Sequence, residues 1–315
     1  MLLAADIGGT HARVGLFTDA DTPRAVSLRQ YPTPALGSFA DLLARFTADE
    51  GGRVPVTAAA IGIAGPVRAG EARLTNGTWG TSVDAVSRAC GTTRVRLIND
   101  LAALGWSTLS LEMSACVTLQ TGVPETNGPV GVIAPGTGLG EALVIRSGDA
   151  VTVMPTESGH ADFAARSDRE WTLAARLLAR RGRATVEDVL SGPGLRTIAA
   201  LTHGDRSCGA TSPEAIMQAG LTHACAACED ALGIFAVALG AETGNLALRT
   251  LATGGIFIGG SLASALLPLL HSPLFLDAFR TKAPMADLVC RIPVHVITDP
   301  QAGLLGAAVA ARRAP

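Results

Sequence analysis

The sequence predicts an α/β protein of two domains, and three observations carry that reading. Short apolar runs at Ala58–Ile63, Val95–Ile98, Ile256–Ile258 and Val294–Ile297 interleave with helix-start signatures. The chain has 315 residues, beyond the roughly 100–200 of a single domain. A weak internal repeat places the same strand, glycine turn, strand pattern in each half.

The first copy of the repeat runs from the apolar Leu2–Ala5 through Asp6-Ile7-Gly8-Gly9-Thr10 into Ala12–Phe17. The second runs from Val130–Ala134 through Pro135-Gly136-Thr137-Gly138-Leu139-Gly140 into Glu141–Ile145. A dinucleotide fingerprint opens a helix after its glycines, whereas both segments here continue as β-favouring residues, so two hairpins are expected. Ser167-Asp168-Arg169-Glu170 reads as a capping box before Trp171–Arg181, and Thr185-Val186-Glu187-Asp188 resembles another. Ser212-Pro213-Glu214 supplies an N-cap, a first-turn proline and an acid. From there to about Ala252 a long helical region is expected, interrupted around Gly233 and Gly240. A final helix spans Gly303–Arg312.

Composition excludes several classes. Net charge is −2 and charged residues are 17%, so this is not a strongly basic nucleic-acid binder. Lys282 is the only lysine, and it lies in Thr281-Lys282-Ala283-Pro284, which leaves no P-loop and no protein-kinase lysine. The opening residues have no charged n-region, so no secretory signal is expected. Leu251–Leu276 is free of charge, but its glycines and prolines predict a buried strand, turn and helix rather than a membrane span. Six cysteines show no disulfide framework, which fits a reduced cytoplasmic setting. Cys225 and Cys228 form a CxxC; with no second pair or nearby His to complete a zinc site, two small buried residues one helical turn apart are expected.

The residues suited to chemistry follow the turns. Gly8, Gly9 and Thr10, and again Gly136, Thr137 and Gly138, allow backbone N–H groups to converge on phosphate, and Asp6 is placed to orient a phosphate-bound Mg²⁺. Asn99-Asp100 ends a strand, where α/β proteins collect ligands; it suits either proton acceptance from a hydroxyl or a helix cap. Glu157, His160 and Asp162 crowd around Gly159, a set suited to a polyhydroxylated substrate or, with less support, to zinc. Glu187 suits a helix first turn, and Gly254-Gly255 suits either close helix packing or approach to a flat ligand.

In this order the segments resemble the bacterial ATP-dependent glucokinases of the hexokinase–actin superfamily, outside the ROK group. The matching motifs are Asp6-Ile7-Gly8-Gly9-Thr10-His11-Ala12-Arg13, Asn99-Asp100, Ala134–Gly140, Glu157-Ser158-Gly159-His160-Ala161-Asp162-Phe163, Glu187–Leu195, Thr253-Gly254-Gly255 and Gly303-Leu304-Leu305-Gly306. They span nearly the whole chain. The resemblance implies a two-domain actin/hexokinase-like, ribonuclease-H-like fold, with a small domain of 1–108 plus 300–315, a large domain of 109–299 and the active site in the interdomain cleft. It implies transfer of the γ-phosphoryl group of MgATP to the 6-hydroxyl of glucose, giving glucose 6-phosphate and ADP.

By the same resemblance, Asp100 is the general base, and Asn99, Asp100, Glu157, His160 and Glu187 bind the sugar. Asp6, Gly8, Gly9, Thr10, Gly136, Thr137, Gly138, Gly254 and Gly255 bind ATP. Mg²⁺ is carried by ATP with no direct protein ligand, Asp6 acting through water. The expected partners are glucose, ATP and a second copy in a cytoplasmic homodimer, with no nucleic acid and no membrane. Three departures stand out: His11 for Asn, Ser158 for Gly, and Ala165 for a common proline. The cysteine-rich zinc motif of the ROK kinases is absent, so no structural zinc is expected. A non-catalytic sugar sensor and an actin-like ATPase are the competing readings, separated by the sugar dependence of ATP turnover.

Overall fold

The structure is a computed structural model describing residues 1–52, 55–75 and 79–315. The chain divides into two compact units, Met1–Ala115 with Asp299–Pro315, and Cys116–Thr298.

The first unit contains β1 (Leu2–Ile7), β2 (His11–Phe17), β3 (Ala25–Pro32), α1 (Phe39–Asp49), β4 (Ala58–Ile63), β5 (Val67–Arg68), β6 (Glu71–Arg73), β7 (Gly80–Ser82), α2 (Val83–Cys90), β8 (Val95–Asn99) and α3 (Asp100–Ser107). The terminal helix, Ala302–Arg312, completes it. Its main sheet has the order β3-β2-β1-β4-β8. β1, β2 and β3 form an antiparallel meander, while β1, β4 and β8 run parallel. β4 is buried along its whole length, which explains why its sequence is uniformly small and apolar rather than alternating. Leu3, Ile7, Leu42 and Ile61 anchor the core.

The second unit contains β9 (Cys116–Gln120), β10 (Val130–Pro135), β11 (Leu139–Ser147), β12 (Ala150–Thr156), α4 (Asp168–Arg181), α5 (Val186–Val189), α6 (Gly192–His203), α7 (Pro213–Leu221), α8 (Ala226–Thr250), β13 (Gly255–Ile258), α9 (Ser261–Ala265), α10 (Leu267–Leu270), α11 (Pro273–Arg280), α12 (Ala286–Arg291) and β14 (Val294–Ile297). The sheet order is β12-β11-β10-β13-β14-β9. Here too an antiparallel meander, β12-β11-β10, continues into parallel β13 and β14. The weak sequence repeat is therefore a repeat of topology, with β9 added antiparallel at the far edge of the second sheet.

Helix starts follow the caps. The side chains of Ser167, Thr185 and Ser212 each accept from the backbone N–H three residues on. Thr185 and Asp188 complete a reciprocal capping box. Ser167 does not, because the Glu170 carboxylate accepts from Arg166 N–H instead. The expected breaks at Gly233 and Gly240 are absent: α8 runs unbroken, and the interruption falls earlier, between α7 and α8. Gly240 serves packing, since a Cβ there would meet the Phe275 carbonyl of α11 at 2.2 Å. α8 is long and apolar enough to cross a membrane, but its most apolar stretch is 78% buried, as in the core helix of a folded unit. Residues 251–276 form turns, β13 and short helices.

The terminal helix packs on α3 so closely that a Cβ on Gly306 would come 1.7 Å from the Ala103 carbonyl. Gly306→Ala gains about 1 kcal/mol of helix propensity but forces the two backbones apart, at a typical overpacking cost of about 1–3 kcal/mol or more. We expect a net loss of stability, read as a lower urea midpoint.

Candidate active site

In the first unit, parallel register sets the geometry. Ile7 pairs with Ile63 and Ile63 with Asn99, so the turn after β1 and the Asn99-Asp100 pair leave the same edge of the sheet. Two strand spacings separate β1 from β8, about 10 Å. The β1–β2 turn is held by Gly8 N–H donating to His11 O at 2.9 Å and the Thr33 hydroxyl donating to Gly8 O at 2.7 Å. Gly9, Thr10 and His11 are exposed at its tip.

Asn99 is the N-cap of α3, its side-chain oxygen accepting from Ala102 N–H at 2.6 Å. Capping leaves its amide N–H₂ free to donate. Asp100 Oδ1 accepts from Leu101 N–H at 3.0 Å. Water reaches Asp100, yet the protein gathered around its carboxyl raises its pKa above the usual aspartate range; hydrogen bonding to Leu101 opposes this. Asp6 is raised as well, first by burial and then by the charge of Asp100, against the lowering effect of Arg13 at 3.5 Å. Its carboxylate also faces the start of the terminal helix, where a Cβ on Gly303 would sit 3.2 Å from Oδ2.

In the second unit, the β10–β11 turn gathers most of the expected residues. Gly136 N–H donates to Gly138 O at 2.8 Å, and Gly192 N–H at the start of α6 donates to Gly136 O at 2.9 Å. The Glu187 carboxylate, in the first turn of α5, accepts from Leu139 N–H at 2.8 Å. Glu141 pairs with Thr156, so β12 delivers Glu157 and His160 to the same end of the sheet. Glu157 and His160 stand 3.9 Å apart and both are largely exposed. Asp162 accepts from Arg183 at 2.7 Å, and Arg183 also donates to His160 O at 2.9 Å. That brace ties the 157–162 segment to the start of α5; Arg183 was not singled out by the sequence. The Ser158 hydroxyl hydrogen-bonds with that of Thr156 at 2.8 Å.

Gly254 and Gly255 require a correction. Gly255 pairs with Val130 at the beginning of β10, six residues before Gly136, a separation of about 20 Å along the sheet. They lie at the wrong end of β13 to share a ligand with the Gly136–Gly138 turn. Gly254 N–H instead donates to Pro129 O at 2.9 Å. The matching end of β13 carries Gly259 and Gly260, with Gly259 N–H donating to Ile133 O at 2.9 Å. The rule that ligands gather beyond the carboxyl ends of parallel strands selects this second glycine pair.

The phosphate reading is tested by the space at the turns. A Cβ on Gly136 would meet nothing within 4 Å, and one on Gly8 only an ordinary contact at 3.5 Å. Neither has the left-handed backbone that demands glycine. At these two positions packing leaves room for a side chain, whereas close approach of an anion does not; Gly138 differs, since a Cβ there would meet Glu187 Oε2 at 2.5 Å. For Mg²⁺, the carboxyls of Asp6 and Asp100 are both raised by burial, and Asp6 also by the charge of Asp100, which a nearby divalent cation would offset.

Behind the turn lies a buried charge network. Glu141 is fully buried, and Arg249 donates to it at 3.2 Å and to Glu242 more closely. Burial first, then the charge of Glu242, pushes Glu141 up to about 8. Asn245 donates to Glu242 at 2.9 Å and accepts from Lys282 at 2.5 Å; Lys282 also donates to Ala241 O.

The fold is that of the two-domain sugar kinases, shared with a ROK family glucokinase from Streptomyces griseus solved with glucose and AMPPNP (TM-score 0.62, 21% identity, 99% of each chain). A glucokinase from an Antarctic psychrotroph matches more closely, with TM-score 0.92 and 28% identity over 99% of each chain. The family model for glucokinase matches residues 3–314. A glucokinase of Nostoc punctiforme is 35% identical over 99% of both chains. The chain belongs to the glucokinase family.

Glu141 gives a signed pH prediction. Its carboxyl moves from an ordinary 4.5 to about 8 on folding, so between those values the folded chain holds a proton that the unfolded chain releases. This contribution is fully present below pH 4.5 and is lost as pH rises through 8. Glu141→Gln removes the dependence. Its Tm should exceed that of the parent at pH 8, by roughly 2–4 °C per kcal/mol recovered, and the gap should close towards pH 4.5.

Proposed function

We propose that the protein transfers the γ-phosphoryl group of MgATP to the 6-hydroxyl of glucose, releasing glucose 6-phosphate and ADP. Family membership supports the reaction, and the observation that carries the site is the open space at Gly8 and Gly136, one in each glycine turn, which packing does not explain. The fold accommodates both ligands in the Streptomyces griseus protein.

Asp100 takes the proton of the sugar hydroxyl. Its raised pKa makes it a stronger base than an ordinary aspartate. Asn99 donates its free amide to the sugar, and Glu157, His160 and Glu187 accept from or donate to the remaining hydroxyls. Glu187 has one oxygen committed to Leu139 N–H, so it couples sugar contact to the shape of the phosphate turn. Gly8, Gly9, Thr10, Gly136, Thr137 and Gly138 hold the phosphates through backbone N–H and hydroxyl groups. Gly259 and Gly260 take over the nucleoside role first expected of Gly254 and Gly255. Bound Mg²⁺ supplies charge neutralisation on the phosphate oxygens, with Asp6 orienting its water shell. Phosphoryl transfer then needs positioning more than covalent chemistry from the protein.

The same reading places the protein in the cytoplasm, at the entry of glucose into glycolysis, as a homodimer. Six free cysteines support a reduced compartment. Trp171 and Leu178, seven residues apart on α4 and 63% and 58% exposed, supply an apolar stripe suited to a second copy.

Four outcomes test the proposal. ADP formation from MgATP should require glucose; sugar-independent hydrolysis would favour the ATPase reading. Asp100→Asn should lower kcat by roughly 10²–10⁴-fold while calorimetry still detects glucose binding. Since the base must be ionised, kcat/KM should fall with decreasing pH through an acid limb above 3.8, the ordinary aspartate value. Gly136→Ala should raise KM for ATP and leave Tm unchanged.

A further inference from the structure

Far from the turns in sequence, four side chains of the second unit converge. His203 ends α6, Cys208 lies in the loop that follows, Cys225 immediately precedes α8 and Cys228 occupies its first turn. The ligand atoms of all four lie within 4.8 Å of one another. His203 Nε2 is 3.2 Å from Cys208 Sγ, 3.4 Å from Cys225 Sγ and 3.9 Å from Cys228 Sγ. Cys208 and Cys228 sulfurs are 3.6 Å apart.

These separations match a tetrahedral metal centre. Zinc–sulfur bonds of about 2.3 Å and zinc–nitrogen bonds of about 2.0–2.1 Å put tetrahedral ligands about 3.8 Å (S to S) and about 3.6 Å (N to S) apart. They do not match a disulfide, whose sulfurs are about 2.05 Å apart. The imidazole is already oriented: Nδ1 lies 2.7 Å from Ala199 O, and a carbonyl only accepts, so Nδ1 carries the proton and Nε2 turns its lone pair to the three sulfurs. A histidine fixed through its second nitrogen by a backbone carbonyl is the usual outer-shell arrangement of a zinc ligand.

We propose that His203, Cys208, Cys225 and Cys228 bind one structural Zn²⁺. The expectation of two small buried residues one turn apart, without zinc, gives way to this centre: Cys225 is only half-buried, and folding brings His203 and Cys208 to the pair from 22 and 17 residues upstream. Binding replaces the three thiol protons, which leave to solvent, by three zinc–sulfur bonds and one zinc–nitrogen bond, with no redox change. Four protein ligands close the coordination sphere, so the metal holds the loop after α6 and the start of α8 to the end of α6 rather than acting on substrate.

The test uses the full chain purified under reductant and without chelator. Elemental analysis should find one zinc per chain, falling to trace in Cys208→Ser and Cys225→Ser and staying at one in Cys290→Ser, an exposed cysteine outside the cluster. After stripping, Co²⁺ should produce thiolate-to-cobalt charge-transfer absorption, and Zn²⁺ should quench it and raise Tm. Should either Ser variant fail to fold, the cobalt spectrum of the unmodified chain decides alone. Stripped protein that takes up neither ion stoichiometrically overturns the proposal. So does uptake that survives Cys208→Ser, or a disulfide among these cysteines in protein purified anaerobically. None of these readouts depends on phosphoryl transfer.

Discussion

The site depends on parallel strand register. Because β1, β4 and β8 run side by side and in step, Asp6, the first glycine turn and the Asn99-Asp100 pair leave one sheet edge together. The second sheet repeats the device with β10 and β13, and its meander returns Glu157 and His160 to the same end. A slip of one residue in β8 would reverse the faces of its side chains and withdraw Asp100. The burial of β4 on all sides makes such a slip costly.

Several of the candidate site residues also hold the fold together. Asn99 caps a helix through its oxygen and keeps its amide for donation. Glu187 fixes the exit of the β10–β11 turn through one oxygen. Asp6 and Asp100 are both raised by surrounding protein, and Asp6 also by the charge of Asp100, which a bound cation would offset.

What the sequence made legible was mostly local. Both hairpins, the strands Ala58–Ile63 and Val294–Ile297, and the caps at Thr185 and Ser212 follow from residues within a few positions of one another. The second-unit groupings depend on pairing between distant segments. Gly254-Gly255 and Gly259-Gly260 look alike in the sequence, and only the register with β10 separates the strand end facing the turn from the one facing away. Gly240 looked like a helix break because the partner that needs it, Phe275, lies 35 residues on. His203, Cys208 and the CxxC are separated by α7, and no spacing rule joins them. Glu141 gave no signal at all beyond following the glycine turn.

The Lys282 ammonium is the chain's only lysine nitrogen, and it is tied to Asn245 and Ala241 O, with burial lowering its pKa to about 8. All other side-chain cations besides histidine are guanidinium groups. Reducing sugars form Schiff bases with primary amines and not with guanidinium groups at comparable rates. A protein that handles free glucose therefore presents it with almost no side-chain amine to glycate, and amine-directed labels or cross-linkers will find the folded surface nearly blank.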